Sequence, residues 1–581
     1  KRMSNNAQPP TGAEEVTWDL SHLYAGIDDP AIDRDLDEAD ARADELAQMY
    51  RGRVAELSVD QMRDLLEEYE AIQELSRKVG SYAYLNWSVA TEDSANGALL
   101  QKATERDSRL NQKLVFVELE WANSPDESAE TIMTDPGLAP SPGRTYRHWL
   151  EVVRRYRPYM LSEPEEKILA EKAITGRYAW MRFFDEVHGA TRYEFDGEML
   201  PQQTILAKLY HEDRTVRQRA AVAVSDELKN LSRITTYVFN NILADKASND
   251  HLRGYASWVS ARNLDNQVDD DTVEALINAV TSHYGTVARY YRLKRRLLEL
   301  DELFDYDRYA PLPAADRYYV WEESKEIVLS AYAQFHPRMV EIATTFFEKR
   351  WIDAAVRPGK RSGAYSHGVV PSVHPYVMVN YEARPRDVMT LAHELGHGVH
   401  QKLASAQGLL HAGAPLTTAE TASVFGEMLV FQDLLSRETD PSQRLVMLVG
   451  KLENSFATVF RQISMNRFED AMHTARRTEG ELTTERFSEL WLETQRAMFM
   501  DSVTMTEDYG LWWSYIPHFI HTPGYVYAYA FGELLVMALY ARYQEVGPDF
   551  SQAYLDMLTA GGSDWPHQII KPLGVDLTDP G

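Results

Sequence analysis

The most informative stretch of the sequence runs from residue 387 to residue 397 and reads DVMTLAHELGH. Its apolar residues recur at helical spacing, which predicts a helix that begins at Asp387, a good N-cap residue placed shortly after Pro385. On such a helix, His393 and His397 are one turn apart, about 40° around the axis and roughly 6 Å along it. Both imidazoles can therefore reach one metal ion.

Glu394 follows the first histidine and projects about 100° away from it, beside the expected ion rather than onto it. This is where the HExxH pattern holds the general base for an attacking water. The pattern arises by chance in roughly a few per cent of chains of this length, so its surroundings matter. Gly396 and Gly398 each cost about 1 kcal/mol against alanine inside a helix, which predicts that another element approaches closely there.

A catalytic zinc site uses three protein ligands and one open position. His400 is near in sequence, but a straight helix cannot bring positions separated by four and then three residues to one tetrahedral centre, and the spacing differs from the HExxHxxGxxH pattern. We interpret His400 as a packing or surface residue. The better candidate is Glu420, in the run TTAETAS at residues 417–423, whose small residues permit close helix contact.

The acidic residues of this second segment leave alternatives open. Taken alone, Glu420 also fits a capping box with Thr417 at the start of a helix. Glu427, two turns further on, fits a contact that orients a ligand imidazole through its second nitrogen. It fits a solvated or ion-paired glutamate equally well.

The composition is that of a folded globular protein. The chain has 581 residues, of which 44% are hydrophobic and 25% charged, and it is too long for one hydrophobic core. Its 60 Lys and Arg against 88 Asp and Glu give a net charge of −28, which disfavours nucleic acid and anionic membranes as partners. No cysteine is present, so a metal site must use histidine and carboxylates, and we expect a cytoplasmic protein.

Targeting and membrane segments are not indicated. The first residues, Lys1-Arg2-Met3-Ser4, lack the apolar region of a signal peptide. The most apolar run, from Tyr525 to Tyr540, is interrupted by Gly532 and Glu533 and is too short to span a bilayer. We therefore expect no membrane anchor.

Periodicity predicts a mainly α fold with a small amount of β-structure. Helical spacing of apolar residues extends over residues 28–119 and resumes after a Pro- and Gly-rich loop at residues 135–143. It dominates again from the hairpin described next to about residue 350, and helices fill the chain from residue 387 onward. Residues 191–200, which read TRYEFDGEML, alternate around Asp196-Gly197 and predict a type I′ hairpin. Residues 362–381 are β-branched, aromatic and punctuated by Gly and Pro, which predicts a small sheet. We place a domain boundary at the hairpin, between a helical lobe at residues 1–195 and a catalytic domain at residues 196–581.

An aromatic stretch near the C-terminal end can supply hydrogen-bond donors. The run WSYIPHF at residues 513–519 precedes YVYAY at residues 525–529. Amide hydrolysis passes through an oxyanion that needs donors aimed at it, and His and Tyr side chains are suitable. His518 is the favoured candidate, whereas any single tyrosine also fits an aromatic core helix.

Together these segments resemble oligoendopeptidase F, in the thimet oligopeptidase family (family M3) of zinc peptidases. The matching pieces extend over nearly the whole length and are more specific together than HExxH alone. They are residues 17–24 (TWDLSHLY), the Asp196-Gly197 hairpin, residues 362–366 (SGAYS), 393–397 (HELGH), 419–423 (AETAS), 516–519 (IPHF) and 525–527 (YVY).

The resemblance implies a multi-helix oligopeptidase fold with a deep central substrate channel, which admits only short unfolded peptides, and a small β-sheet beside the zinc-binding helix. It implies one Zn²⁺ per chain, held by His393, His397 and Glu420. Glu394 matches the family's base, and His518 matches its transition-state donor.

The family also has a tyrosine shortly after that histidine, and three tyrosines compete for the role here. Tyr525 and Tyr529 share a helix face, so we prefer them to Tyr527. The resemblance further implies that a strand of Gly363, Ala364 and Tyr365 pairs with the substrate backbone, which is peptide recognition by strand addition.

The sequence thus predicts a zinc endopeptidase that hydrolyses internal bonds of short oligopeptides, as a monomer or homodimer. One alternative is a zinc carboxypeptidase of related helical fold, which would not cut a peptide with a blocked end. The other is a non-catalytic helical peptide-binding protein, which need hold no stoichiometric zinc.

Overall fold

Helices account for most of the computed structural model, which describes residues 10–313 and 317–577. The N-terminal tetrapeptide Lys1-Arg2-Met3-Ser4 lies outside these residues. Apolar residues at helical spacing are buried as predicted, for example Met62, Leu65 and Leu66. The helices before residue 314 are α1 Pro30–Tyr50, α2 Val59–Val89, α3 Ser94–Leu114, α4 Phe116–Ala122, α5 Asp126–Thr134, α6 Arg147–Arg155, α7 Glu163–Thr175, α8 Arg177–Ala190, α9 Gln202–Ala207, α10 Arg214–Arg253, α11 Ser260–Asp265, α12 Asp270–Ser282 and α13 Tyr284–Leu297.

The second described range is also helical, apart from a short β-structured segment. No helix in either range combines the length and the apolar character needed to cross a membrane. The helices after residue 316 are α14 Trp321–Phe335, α15 Pro337–Glu348, α16 Pro385–Ala404, α17 Leu416–Ala419, α18 Thr421–Arg437, α19 Pro441–Phe456, α20 Gln462–Glu479, α21 Thr484–Phe499, α22 His518–His521, α23 Tyr527–Val546, α24 Pro548–Ala560 and α25 Pro566–Ile570.

The predicted hairpin is formed by β1 (Tyr193–Phe195) and β2 (Glu198–Leu200), which pair antiparallel. Asp196 and Gly197 connect them with φ values of 55° and 84°, both positive as a type I′ turn requires. This prediction is confirmed. The residues Asp-Gly are sufficient to specify the turn, because both adopt the positive φ values that a two-residue type I′ connection needs.

The predicted small sheet contains β3 (Ile352–Asp353), β4 (Tyr365–His367) and β5 (Tyr376–Met378), in the order β3-β5-β4. β3 runs parallel to β5, and β4 runs antiparallel to it at an edge of the sheet. Helix α16 packs against β4 and β5. The mainly α fold with a small sheet beside the HExxH helix is therefore confirmed.

The chain folds into two compact units, each made of several segments. The described residues of the first unit are 10–157, 317–438 and 535–577, and those of the second are 158–313 and 439–534. The first unit contains α16 and the sheet, and the second contains the hairpin and α22. The boundary between residues 195 and 196 and the central channel both stay predictions.

Helix α16 lies in the interior of the first unit, with Val388, Leu391 and Leu395 fully buried. It begins at Pro385, and Arg384 is its N-cap residue. Asp387 is therefore not the N-cap, and this prediction is wrong: proline in the first turn sets the start. The Asp387 carboxylate instead accepts hydrogen bonds at 3.0 and 2.9 Å from the backbone N–H groups of Arg384 and Glu382, so it caps the helix from inside.

Candidate metal centre

Helix α16 presents His393 and His397 on one face, with ring centroids 5.0 Å apart. The Nε2 atoms of the two rings each lie 3.4 Å from Oε2 of Glu420. Ligand atoms about 2.0–2.1 Å from a tetrahedral zinc ion are about 3.4 Å from one another. One ligand atom from each of the three side chains lies within 4.8 Å of the others, so the group can hold a metal ion.

Glu420 reaches the two histidines because α18 approaches α16 very closely. A Cβ atom added to Gly396 would lie 2.5 Å from the carbonyl oxygen of Ala422 and 2.7 Å from Cα of Ser423. A Cβ at Gly398 would lie 2.6 Å from the ring of Phe346 in α15. The predicted close approach at both glycines is therefore confirmed.

Glu420 lies at the junction of α17 and α18, where it is the N-cap residue of α18. Helix α17 begins at Leu416 after Pro415, so Thr417 lies inside that helix and not at a cap position. The hydroxyl of Ser423 donates a 2.8 Å hydrogen bond to Oε2 of Glu420. This contact orients the carboxylate of Glu420. The only feature of the sequence that could have indicated it is a serine three residues after the glutamate.

The pKa values of His393 and Glu420 are set by two opposing effects, burial and the contact between imidazole and carboxylate. Burial alone lowers the pKa of His393, but Glu420 and Glu427 outweigh it and raise that pKa to about 10. Burial alone raises the pKa of Glu420, and the two imidazoles reverse this and lower it far below its ordinary value. Because a metal ligand must be a neutral imidazole, an ion that binds here displaces a proton from His393.

Glu427 lies two turns further along α18, and its Oε2 atom is 3.5 Å from Nδ1 of His393. The other ring nitrogen of that histidine faces Glu420. A carboxylate in this position fixes the orientation of a ligand imidazole. Glu427 is therefore in contact with an imidazole and not simply solvated, and this geometry fits both an ion pair and a carboxylate that orients a ligand imidazole.

Glu394 is only 7% exposed. Burial raises the pKa of its carboxyl group, whereas the imidazoles of His393 and His397 lower it. A backbone group of Ser366 in β4 also acts to lower it, which brings the edge strand close to this carboxylate. His400 is buried, and burial together with the charge of His397 lowers its pKa to about 4, as expected for a packing residue.

The predicted substrate strand begins later than expected. β4 starts at Tyr365, whereas Gly363 and Ala364 precede it. Gly363 has a φ of 85°, and its carbonyl oxygen accepts a 2.9 Å hydrogen bond from the side chain of Asn380. The predicted strand boundary is therefore wrong for these two residues, because a left-handed residue interrupts the extended backbone.

His518, Tyr525 and Tyr529 form a second cluster, in the second unit. Nε2 of His518 and the hydroxyl of Tyr529 are 3.3 Å apart, and the ring of Tyr525 stacks on the histidine at 6.2 Å. Burial lowers the pKa of His518, which keeps its imidazole neutral near pH 7.

Tyr527 differs from its two neighbours. Its side chain is fully buried, and its hydroxyl donates to Asn263 and accepts from Asn266, both at 2.8 Å. The structure thus groups Tyr525 and Tyr529 with His518, and it gives Tyr527 a packing role.

Comparisons with known proteins extend over nearly the whole chain. Oligopeptidase PepF of Bacillus subtilis is 27% identical over 574 residues, which cover 97% of this chain and 84% of that protein. Group B oligopeptidase PepB of Streptococcus agalactiae is 27% identical over 585 residues, which cover 97% of this chain and 94% of that protein.

Solved structures show the same fold. A structure from Chlamydophila abortus superposes with a TM-score of 0.84 at 25% identity and covers 97% of this chain and 94% of its own. Oligoendopeptidase-F from Enterococcus faecium superposes with a TM-score of 0.70 at 23% identity, covering 94% of each chain.

Two family models match the sequence in adjacent regions. The model described as oligopeptidase F matches residues 120–193. The model described as peptidase family M3 matches residues 207–581, which is more than half of the chain and includes the HExxH helix and Glu420. The resemblance to oligoendopeptidase F is thereby confirmed, and the chain belongs to peptidase family M3.

Proposed function

We propose that this protein is a zinc-dependent endopeptidase that hydrolyses internal bonds of short, unfolded oligopeptides in the cytoplasm. The observation that carries the proposal is the pair of 3.4 Å separations between Glu420 Oε2 and the Nε2 atoms of His393 and His397. Two imidazoles and one carboxylate are the ligand set of a catalytic zinc site with an open fourth position. Membership of a peptidase family and the absence of cysteine support the same conclusion.

When bound by these three residues, zinc supplies the positive charge that polarises a scissile carbonyl and acidifies a water molecule. Glu394 adjoins the ligand histidines without contributing to their ligand set. Its carboxylate accepts the proton of the attacking water and delivers it to the leaving amide nitrogen. Glu427 holds the ring of His393 in the orientation that binding requires.

His518 and one of Tyr525 and Tyr529 donate hydrogen bonds to the oxyanion that develops on the scissile carbonyl. Their support is their mutual contact and the neutral state of the buried imidazole, which retains one N–H donor. Tyr527 is not assigned to this role because two asparagines occupy its hydroxyl.

Peptide recognition uses the edge strand β4, with the preceding Gly363 and Ala364 and with Tyr365 at its start. Strand addition satisfies the substrate backbone and tolerates different side chains. The support is the edge position of β4 and its closeness to Glu394.

The test of this function is Glu394→Gln, an isosteric change that removes the base. We expect the purified variant to hold one equivalent of zinc by metal analysis and to lose about 10²–10⁴-fold in kcat on a mixed oligopeptide pool. Glu326→Gln, an exposed glutamate of α14 in the same unit, is the matched control and should cleave normally.

Two outcomes contradict the proposal. Turnover of Glu394→Gln at the wild-type rate would show that this carboxylate is not the base. A wild-type protein that is fully active after a chelator has removed all metal would show that the reaction does not use the ion.

A further inference from the structure

Gln401 connects the HExxH helix to the edge strand of the sheet. It lies in α16, one turn after His397, and its side-chain amide makes two hydrogen bonds to Ser366, the middle residue of β4. The hydroxyl of Ser366 donates to Oε1 of Gln401 at 2.8 Å, and Nε2 of Gln401 donates to the carbonyl oxygen of Ser366 at 3.3 Å. Both polar ends of one amide therefore hold a single residue of the strand.

The aliphatic part of the Gln401 side chain lies over Gly368, the first residue after β4. A Cβ atom added to Gly368 would lie 3.5 Å from Cγ and 3.7 Å from Cβ of Gln401, which is ordinary van der Waals contact. Gln401 thus contacts the strand through its amide and the residue that follows the strand through its stem.

The pairing of the sheet shows which backbone groups of β4 face its open edge. The N–H of Val377 in β5 donates to the carbonyl oxygen of Trp351, next to β3, at 2.9 Å, so the backbone groups of Val377 are directed away from β4. Ser366 lies opposite Val377 in the register of the two strands. The N–H and C=O of Ser366 therefore face the open edge, and this carbonyl is the one that Gln401 binds.

The strand that Gln401 holds is short. β4 has three residues and pairs with β5 over that length alone. Gly363 before it and Val369 after it have φ values of 85° and 60°, in the left-handed region, so the chain leaves the extended course on both sides. An edge strand of this length depends on side-chain contacts for its position, and the pair of Gln401 and Ser366 supplies one.

Gln401 shares a face of α16 with Glu394, the predicted base. Seven residues at 100° each bring the two side chains within about 20° of each other around the helix axis and about 10 Å apart along it. Ser366 meets both: it is hydrogen-bonded to Gln401, and a backbone group of Ser366 acts on the carboxyl group of Glu394. β4 therefore lies along the face of the helix that carries the base, and all three residues belong to the first unit.

We propose that Gln401 is a positioning residue that holds β4 against the HExxH helix, so that a bound peptide lies in register with Glu394. The inference rests on the function proposed above and adds to it the residue that sets the register. Because Gln401 occupies the outward carbonyl of Ser366, the peptide backbone pairs two residues earlier, at Ala364, where the outward direction recurs. The contact of Gln401 with Ser366 then fixes how far that pairing lies from the base.

Gln401→Met tests the proposal, because methionine keeps an unbranched stem over Gly368 and removes both hydrogen bonds to Ser366. The substrates are one oligopeptide and a series of its derivatives, each N-methylated at one backbone amide other than the scissile one, and kcat/KM is measured for each. Methylation removes one N–H donor. In the wild type, we expect methylation of the amide that pairs with Ala364 to lower kcat/KM by about 2–10-fold, the effect of one hydrogen bond.

Gln401→Met should lower kcat/KM on the unmodified peptide by about 2–10-fold and should show no further loss on the derivative to which the wild type is most sensitive. Such non-additive losses show that Gln401 acts through the paired backbone. The variant should hold one equivalent of zinc by metal analysis. Ser366→Ala removes the hydroxyl and leaves the carbonyl that Gln401 binds, so it should show the same pattern with a smaller loss.

Gln101→Met is the matched control. Gln101 is exposed on α3 of the same unit, where its amide contacts Glu105 at the surface. This variant should match the wild type on every peptide.

Four results overturn the inference. They are equal cleavage of all the peptides by the wild type, wild-type rates in Gln401→Met, a loss by one constant factor on every peptide in that variant, and loss of its zinc. A constant factor would show a general effect on the fold, and loss of zinc would show a role in the metal site. If Gln401→Met does not fold, Ser366→Ala is judged by the same four criteria.

Failure of the proposed function has a different signature. If the wild type cleaves no peptide, calorimetric affinities for the unmodified and methylated forms replace the rates, and the same comparison of wild type with Gln401→Met decides the role of Gln401. If the wild type releases single residues from the C-terminus, the endopeptidase assignment fails, and the pattern of methylation still tests Gln401.

Discussion

One oxygen atom of Glu420 lies 3.4 Å from each of two imidazoles and accepts a hydrogen bond from Ser423. One of these imidazoles, that of His393, also contacts Glu427 through its second ring nitrogen, Nδ1. Two of the three candidate ligands, Glu420 and His393, are thus oriented by a neighbour outside the group, which would reduce the freedom lost on metal binding. The pKa values of His393 and Glu420 move in opposite directions because one proton or one cation satisfies both.

The carboxyl group of Glu469 has a raised pKa, in contrast to that of Glu420. It is fully buried in α20, one oxygen accepts a 2.9 Å hydrogen bond from the backbone of Gly524, and the other has no partner among the described residues. Burial raises its pKa to about 8 from an ordinary value of 4.5, so the group is mostly neutral at pH 7.

This shift predicts a pH-dependent stability. Between pH 4.5 and about 8 the folded protein keeps a proton on Glu469 that the unfolded chain has released. The stabilising contribution is therefore complete below pH 4.5 and is lost as the pH rises through about 8. Glu469→Gln, which is neutral at every pH, should exceed the wild type in free energy of unfolding at pH 9 by on the order of 2–4 kcal/mol.

Urea denaturation of both proteins at pH 5, 7 and 9 measures the difference. Glu493→Gln, an exposed glutamate of α21, is the control and should follow the wild-type profile. Parallel pH profiles for the wild type and Glu469→Gln would show that another group holds the proton.

At the scale of elements, the contact of α16 with α18 determines whether Glu420 reaches the two histidines. Both helices are buried along their facing sides, and the backbone of Ala422 approaches the position where a side chain at residue 396 would begin. Tyr554 of α24 supports this contact with a 3.2 Å hydrogen bond from its hydroxyl to the carbonyl oxygen of Thr421.

Gly396→Ala should therefore force the two helices apart. The added Cβ would lie 2.5 Å from a backbone oxygen, which no side-chain rotation relieves. We expect a loss of about 1–3 kcal/mol in the free energy of unfolding together with weaker zinc binding, because the shift moves Glu420 away from the histidines.

Gly450→Ala is the matched control for this prediction. Gly450 lies in α19 with no atom within 4 Å of an added Cβ, so the same change should stabilise by about 0.5–1 kcal/mol. Denaturant titrations and competition with a zinc indicator measure both quantities. Equal stabilisation by the two substitutions would show that α16 and α18 are free to separate.

At the scale of the whole molecule, the proposed metal ion links distant parts of the sequence. His393 and His397 belong to α16, and Glu420 follows after more than 20 residues that include α17. An ion that binds all three in the folded state and not together in the unfolded chain stabilises the fold by linkage.

Removal of the metal should thus lower the stability of the protein. With free zinc at about 1,000 times its Kd, the stabilisation is about 4 kcal/mol, and a chelator should remove it and lower the midpoint of thermal unfolding. His393→Ala should unfold at one temperature with and without the chelator. An unaltered wild-type midpoint after complete loss of zinc, verified by metal analysis, would contradict the linkage.

The parts of the site that were predictable are those governed by short-range geometry. The helical repeat alone places His393 and His397 on one face with Glu394 beside them. The preference of Asp-Gly for two-residue type I′ turns alone specifies the turn at Asp196-Gly197. Glycine inside a helix signals close packing because its cost needs a compensating contact, as Gly396 shows.

Other features depend on which surfaces meet when the chain is packed. The sequence leaves two roles open for Glu427, because its partner His393 belongs to another helix and only packing brings the two side chains together. Tyr527 has the same local pattern as Tyr525 and Tyr529, yet two asparagines from α11 and the turn that follows it occupy its hydroxyl. Local spacing is set by the backbone and can be read along the chain, whereas long-range partners are selected by burial of many side chains at once.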